Sequence, residues 1–250
     1  MKKQVNVLTK IAALALLAVA AAPAMAQQAG DTVVNVGWFH LAPQDSSKNI
    51  SVNSAFIPGM TIPNTGASVS DADTIGLQIN HFVTDNWDIS ADLGIPPKFK
   101  LTGSGILSGT SIGSAKQWSP ALLAKYFFGD SSSKFRPFLG AGATYVWYSN
   151  IQLTDQFQNQ LSDLLTSTAG FGTGFGLKSS VKLSSSFAPV VTAGGVYNIN
   201  DKWSLGLSVS YIPLKTKADI TTNTPLGPVY TSTKLTLNPI VSFLSVGYKF

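Results

Sequence analysis

The chain has 250 residues, no cysteine, and 17 lysine and arginine residues against 12 acidic ones. The lack of thiols excludes disulfides, thiol catalysis and thiolate metal centres. Three of those cations, Lys2, Lys3 and Lys10, belong to an amino-terminal segment that reads as a leader; 17 − 3 leaves 14 basic against 12 acidic residues, too even a balance to support a nucleic-acid partner.

That leader combines the three lysines with an apolar run from Ile11 to Ala22 and an Ala24-Met25-Ala26 cleavage site, the layout of a secretory signal peptide. Residues 1–26 are expected to be removed, leaving 27–250 as one domain outside the cytoplasm. All acidic residues are Asp, Arg136 is the single arginine, and Gly, Ser, Thr and aromatics are plentiful, a composition of strands and turns. Beyond the leader no apolar run reaches the roughly 18 residues of a helical span, but a membrane β-strand needs only about 9–11 alternating residues.

The first strand, Thr32–Ala42, places Val34, Val36 and Trp38 on one face and Asn35, Gly37, Phe39 and Leu41 on the other. A long polar connection, 43–73, follows, with an apolar island at Ala55-Phe56-Ile57. Strands over 74–83 and 87–95 are joined by Thr84-Asp85-Asn86; in the latter, Trp87, Ile89, Ala91, Leu93 and Ile95 oppose Asp88, Ser90, Asp92 and Gly94. Pro96-Pro97 ends the ladder. After a Gly/Ser-rich loop, residues 118–147 read as a hairpin turning at 129–134. One face carries Leu122, Ala124, Tyr126, Phe128, Leu139, Ala141, Ala143, Tyr145 and Trp147; the other carries Ser119, Lys125, Arg136, Gly140, Gly142 and Thr144.

In the next long connection, Thr154 can cap a short helix with Phe157, Leu161, Leu164 and Leu165 on one stripe, placed across the mouth of the fold. Strands over 187–199 and Trp203–Tyr211 turn at Asn200-Asp201-Lys202. A fourth loop leads to the last strand, where Ile240, Leu244, Val246, Tyr248 and Phe250 share a face.

Eight strands thus alternate three short turns with four long loops. The predicted fold is all-β: an eight-stranded antiparallel transmembrane β-barrel, its loops extracellular and its turns and termini periplasmic. Trp87, Trp203, Tyr126, Phe128, Tyr248 and Phe250 would be interfacial anchors at the periplasmic end.

A barrel of this size encloses room for side chains or one small ligand, not a wide pore. Alternation puts Asp88, Asp92, Lys125, Arg136 and Lys249 inside near the periplasm, as a paired charged floor, and Phe39, Leu41, Leu123, Phe138 and Val146 inside as an apolar channel lining. Pro96, Pro97 and Pro120 cannot donate to a ladder and suggest a lateral gate, though they also serve as plain strand ends.

Catalytic signals are thin. His40 and His81 fall on outward positions without a ligand or base partner at metal-site spacing, Asp88 and Asp92 suit ion pairing with Lys125 and Arg136 better than acid–base work, and the FGTGFG stretch at 171–176 lacks the lysine and helix of a phosphate loop. No enzyme, cofactor or metal is predicted.

The segment YFFGDSSSKFRPFLGAG, the turns VTDNWDI and YNINDKW, and the ending LNPIVSFLSVGYKF resemble the outer-membrane protein W family. The resemblance implies a bacterial outer-membrane barrel with a narrow apolar channel for small hydrophobic molecules, alkane-uptake members included. It also implies contact with outer-membrane lipid and lipopolysaccharide, and recognition of Tyr248-Lys249-Phe250 by barrel-assembly machinery. The expected function is passive uptake of an apolar solute that enters an upper cavity and leaves sideways above the charged floor. The alternatives are a structural or surface-binding barrel whose loops act as receptor or adhesin, and, further off, a lipid-modifying barrel enzyme.

Overall fold

A computed structural model of the chain describes residues 27–53, 59–168, 170, 172–225 and 227–250. Residues 1–26, where a leader is expected, and the 55–57 island lie outside the described residues. In chain order the strands are β1 (Thr32–Ala42), β2 (Ser46–Ser47), β3 (Ile50–Asn53), β4 (Met60–Ile62), β5 (Thr65–Val69), β6 (Ala72–Phe82), β7 (Trp87–Gly94), β8 (Lys98–Gly105) and β9 (Ser111–Trp118). Then come β10 (Ala121–Phe127), β11 (Phe135–Leu153), the helix α1 (Asp155–Thr168), β12 (Ser179–Leu183), β13 (Ser186–Asn198), β14 (Trp203–Tyr211), β15 (Lys215–Thr224), β16 (Gly227–Thr236) and β17 (Ile240–Lys249).

Eight of these form a closed antiparallel wall in the order β10-β7-β6-β1-β17-β14-β13-β11, and the β10–β11 pairing completes the ring. The alternation that builds it runs opposite to that of a water-soluble barrel. Val36, Ile75, Leu122, Leu139, Val191 and Leu244 point outward and are exposed, while Asn35, Gln78, Asn80, Asp88, Lys125 and Arg136 are buried inside. Apolar side chains facing out and polar ones facing in are stable only with lipid outside, and ring closure gives every wall strand a partner on both sides.

Two aromatic belts mark the faces of that apolar band. At the periplasmic end Trp87 meets Tyr126 edge-on with centroids 5.2 Å apart, and Trp203 meets Tyr248 at 5.0 Å. Phe128 and Phe250 extend these pairs. At the other end Trp118 and Trp147 stack with parallel rings, their centroids 5.7 Å apart.

The long connections differ from the irregular loops expected of them. They carry the nine remaining strands, folded into two small sheets above the membrane. One continues the upper half of β11 through β9 and β8 to β5; the other runs β12-β15-β16-β3-β4, with β2 on β16. Between them lies an apolar core built on Val52, Phe157, Leu161, Leu165, Ile220 and Val229. The helix forms as expected, with Thr154 Oγ1 accepting the Phe157 N–H at 3.2 Å. Its stripe packs into this outer core beside β9. The strands went unseen because they are short and polar on their outer faces, and because partners such as β3 and β16 are far apart in sequence.

Candidate functional site: a layered interior and a gap in its wall

The barrel interior is stacked in three layers. At the periplasmic end Val33, Phe82, Phe127, Phe138 and Val196 form a buried apolar cluster. The buried Arg136 guanidinium lies over the Phe127 and Phe82 rings, 5.4 and 6.0 Å from their centroids, and donates to the carbonyls of Gln27 and Asp85. Lys249 joins Asp31 at 3.1 Å on the rim of this layer.

The middle layer is ionic. Antiparallel register sets Lys125 of β10 directly opposite Asp88 of β7, and Lys125 interacts electrostatically with both Asp88 and Asp92. Asp92 accepts from Gln78 Nε2 at 2.7 Å. The Lys125 ammonium sits 5.3 Å from the Phe138 centroid and, like both Asp88 carboxylate oxygens, has no direct hydrogen-bond partner among the described residues. The expected floor of direct ion pairs is therefore corrected. Arg136 and Lys249 belong to the lower layer, while Lys125, Asp88 and Asp92 form a separate group coupled through space. The physical reason is register: four residues along β11 separate Arg136 from Gly140, the partner of Lys125.

Above the ions lies a cavity of about 370 Å³. Its inner wall includes Phe39, Leu41, Val146, Val190 and Val241, and Asp92 reaches its base. Of the apolar lining read from the sequence, Phe39, Leu41 and Val146 lie here. Leu123 is buried one layer down between Ser90 and Gly142, and Phe138 belongs to the bottom cluster, opposite Phe127. Parity identified both as inward but carried no information about depth. Ile212, Leu214 and Pro239 were missed because they sit in connections between strands, where no alternation marks them.

The lining of this cavity reaches a break in the wall's ladder. The β7–β10 ladder stops at Asp92 and Ala121. It resumes above, where the Gln117 N–H donates to the Pro97 carbonyl at 3.1 Å and Lys98 pairs with Lys116. In between, Leu93, Gly94, Ile95 and Pro96 face Trp118, Ser119 and Pro120 with no backbone hydrogen bond across among the described residues. Each rim is tied backwards. Ile95 N–H donates to Ile75 O, Thr74 Oγ1 to Ile95 O at 2.6 Å, and Tyr145 N–H and Thr144 Oγ1 to Pro120 O. Ile95 and Trp118 line the cavity, yet Ile95 is 64% exposed and Trp118 37% exposed on the outer surface, so one space touches both sides of the wall. Pro96, Pro97 and Pro120 all border it.

The histidines stay outside. His40 Nδ1 and Trp38 Nε1 both meet Asp73 Oδ1, at 2.8 and 3.0 Å, and His81 pairs with Thr32 at 3.0 Å. No cluster of three or more His, Cys, Asp or Glu suited to a metal occurs among the described residues.

A model of the OmpW family matches residues 28–250. The chain belongs to the OmpW family. Among curated relatives, Outer membrane protein W of Vibrio cholerae is 30% identical over 237 residues, covering 94% of this chain and 95% of its own. The Dibenzothiophene metabolism operon protein PahQ of Pseudomonas aeruginosa is 24% identical, covering 92% of this chain and 93% of its own. The crystal structure of the outer membrane protein OprG from Pseudomonas aeruginosa has a TM-score of 0.77 at 25% identity, covering 91% of this chain and 99% of that one. This OmpW-family member is a barrel of the bacterial outer membrane.

Proposed function

We propose that the barrel is a passive conduit for small hydrophobic molecules, which enter from the cell surface, occupy the 370 Å³ cavity and leave sideways into the bilayer between β7 and β10. The observation that carries this reading is the continuity of an apolar interior cavity with the gap from Leu93 to Pro96 and from Trp118 to Pro120. Passage downward would force an apolar solute past Asp88, Asp92 and Lys125 and then past the packed aromatic cluster, at a desolvation cost of several kcal/mol. Passage sideways crosses no ladder hydrogen bond and ends in lipid. The rims' backward hydrogen bonds support a gap that is built into the wall, with Pro96, Pro97 and Pro120 as its gate residues and Phe39, Leu41 and Val146 as the lining. A relative named for a dibenzothiophene metabolism operon fits an apolar, aromatic class of solute. No catalytic step is part of this reading.

The test is a bridge across the gap. Cysteines placed by Ile95→Cys and Trp118→Cys and joined by a reducible bifunctional maleimide should abolish uptake of a radiolabelled medium-chain alkane, and reductant should restore it. A small polar sugar, followed in parallel, should be unaffected by the protein's presence. Alkane uptake that persists through the bridge excludes the sideways exit. If the protein accelerates neither probe, the second reading, a surface-binding barrel presenting the ordered sheets above the membrane, takes its place.

A further inference from the structure

The outward face of the upper sheet carries three lysines in one row above the aromatic belt. Lys98 and Lys100 of β8 and Lys116 of β9 point away from Phe99, Leu101 and Ala115, which are turned inward. Lys98 and Lys116 are direct cross-strand partners, and Lys116 in turn faces Ser149 of β11. Two like charges placed directly opposite destabilise a strand pair. Neither forms an ion pair with a carboxylate among the described residues. Asp73, on β6, is engaged by His40 and Trp38.

The row has a defined depth. Trp118 lies two residues below Lys116 on the same face, stacked on Trp147 and donating its Nε1–H to Ser149 Oγ at 3.0 Å. Stacked indoles on a barrel wall sit at headgroup level, so Lys98 and Lys116 stand about 7 Å above that plane, two strand residues up, and Lys100, level with Ser114, stands about 13 Å above it. Their methylene stems can lie along the indoles while the charges reach outward.

We propose that Lys98, Lys100 and Lys116 form a docking site for the phosphorylated headgroup of lipid A, the lipid that makes up the outer leaflet of this membrane. A phosphate between Lys98 and Lys116 would relieve their mutual repulsion with charge-assisted hydrogen bonds, and Lys100 would take a second anionic oxygen. The acyl chains would then run down past Trp118 and Trp147. Because Pro97 and Trp118 belong to both features, a docked lipid A would flank the wall gap. The assignment rests on the lysine row alone and stands whether or not the gap conducts solute.

The full-length protein, purified in zwitterionic detergent, is titrated with diphosphoryl lipid A, with the same lipid stripped of its phosphates, and with phosphatidylglycerol, bound lipid being counted by native mass spectrometry. Diphosphoryl lipid A should bind roughly tenfold or more tightly than either other lipid, and the variant K98Q/K100Q/K116Q should lose that preference while keeping the heat-dependent gel mobility of a folded barrel. Equal binding of phosphorylated and stripped lipid A by the unaltered protein overturns the proposal without any variant. So does an undiminished preference in the glutamine variant, or phosphatidylglycerol binding as tight as that of lipid A.

Discussion

The ring of Phe39 rests on the bare backbone of Gly76, where a Cβ would collide with it, and stacks on Phe243 with centroids 3.9 Å apart and planes at 15°. Glycine here holds an aromatic flat against the wall of the cavity it borders. Gly76→Ala should push the ring inward at a cost of about 1–3 kcal/mol and slow apolar uptake several-fold. The double variant G76A/F39L, in which the smaller side chain yields, should recover most of the rate.

Lys125 is the sole cation of the middle layer, between two carboxylates. Lys125→Met removes the charge that compensates them and should destabilise the barrel by about 3–5 kcal/mol, read as a shift of the urea midpoint for unfolding from lipid vesicles. Adding Asp88→Asn and Asp92→Asn should return most of that loss. If the single variant unfolds at the wild-type midpoint, the layer contributes nothing as a charge group.

Thr144 is buried and its Oγ1 donates to the Pro120 carbonyl at 2.9 Å, holding one rim of the gap against β11. Thr144→Val keeps the shape and drops the bond, at about 1 kcal/mol. With the Tyr145 N–H left as the remaining bond to that carbonyl, the rim is held less firmly, so alkane uptake should fall more than the stability change alone explains.

Thr154 caps α1 and also donates to the Ser111 carbonyl, linking the helix to β9. Thr154→Ala should cost about 1 kcal/mol, felt only above the membrane. Limited proteolysis of whole cells should cut faster near residues 155–168, while the heat-dependent gel mobility of the barrel stays unchanged.

The wall was legible because lipid on one side and a polar interior on the other enforce a strict period of two, clearest from Trp203 to Tyr211, whose bounds match β14. The helix was legible from the spacing of Phe157, Leu161 and Leu165 after Thr154. The outer sheets were not, since strands such as Lys215–Thr224 mix Thr, Lys and Asp with only Ala218 and Ile220 buried as apolar residues. At the site, parity revealed which side Phe39, Leu41 and Val146 face. Depth stayed hidden, which is why Phe138 was grouped with them. The gap is a property of register, and only the prolines at 96, 97 and 120 hint at where two strands stop pairing.

Six residue pairs join β7 to β10, against ten between β1 and β17 and twelve between β11 and β13. A closed ring under strain yields at its shortest seam. Pulled apart or driven by denaturant, this molecule should split first in the interior of its sequence, beside the break in its wall, while the strands holding the two chain ends stay zipped together. The chain therefore unrolls as one eight-stranded sheet with β7 and β10 at its edges and both termini inside it, and its amide hydrogens along 88–93 and 121–126 should be the first of the wall to exchange with solvent.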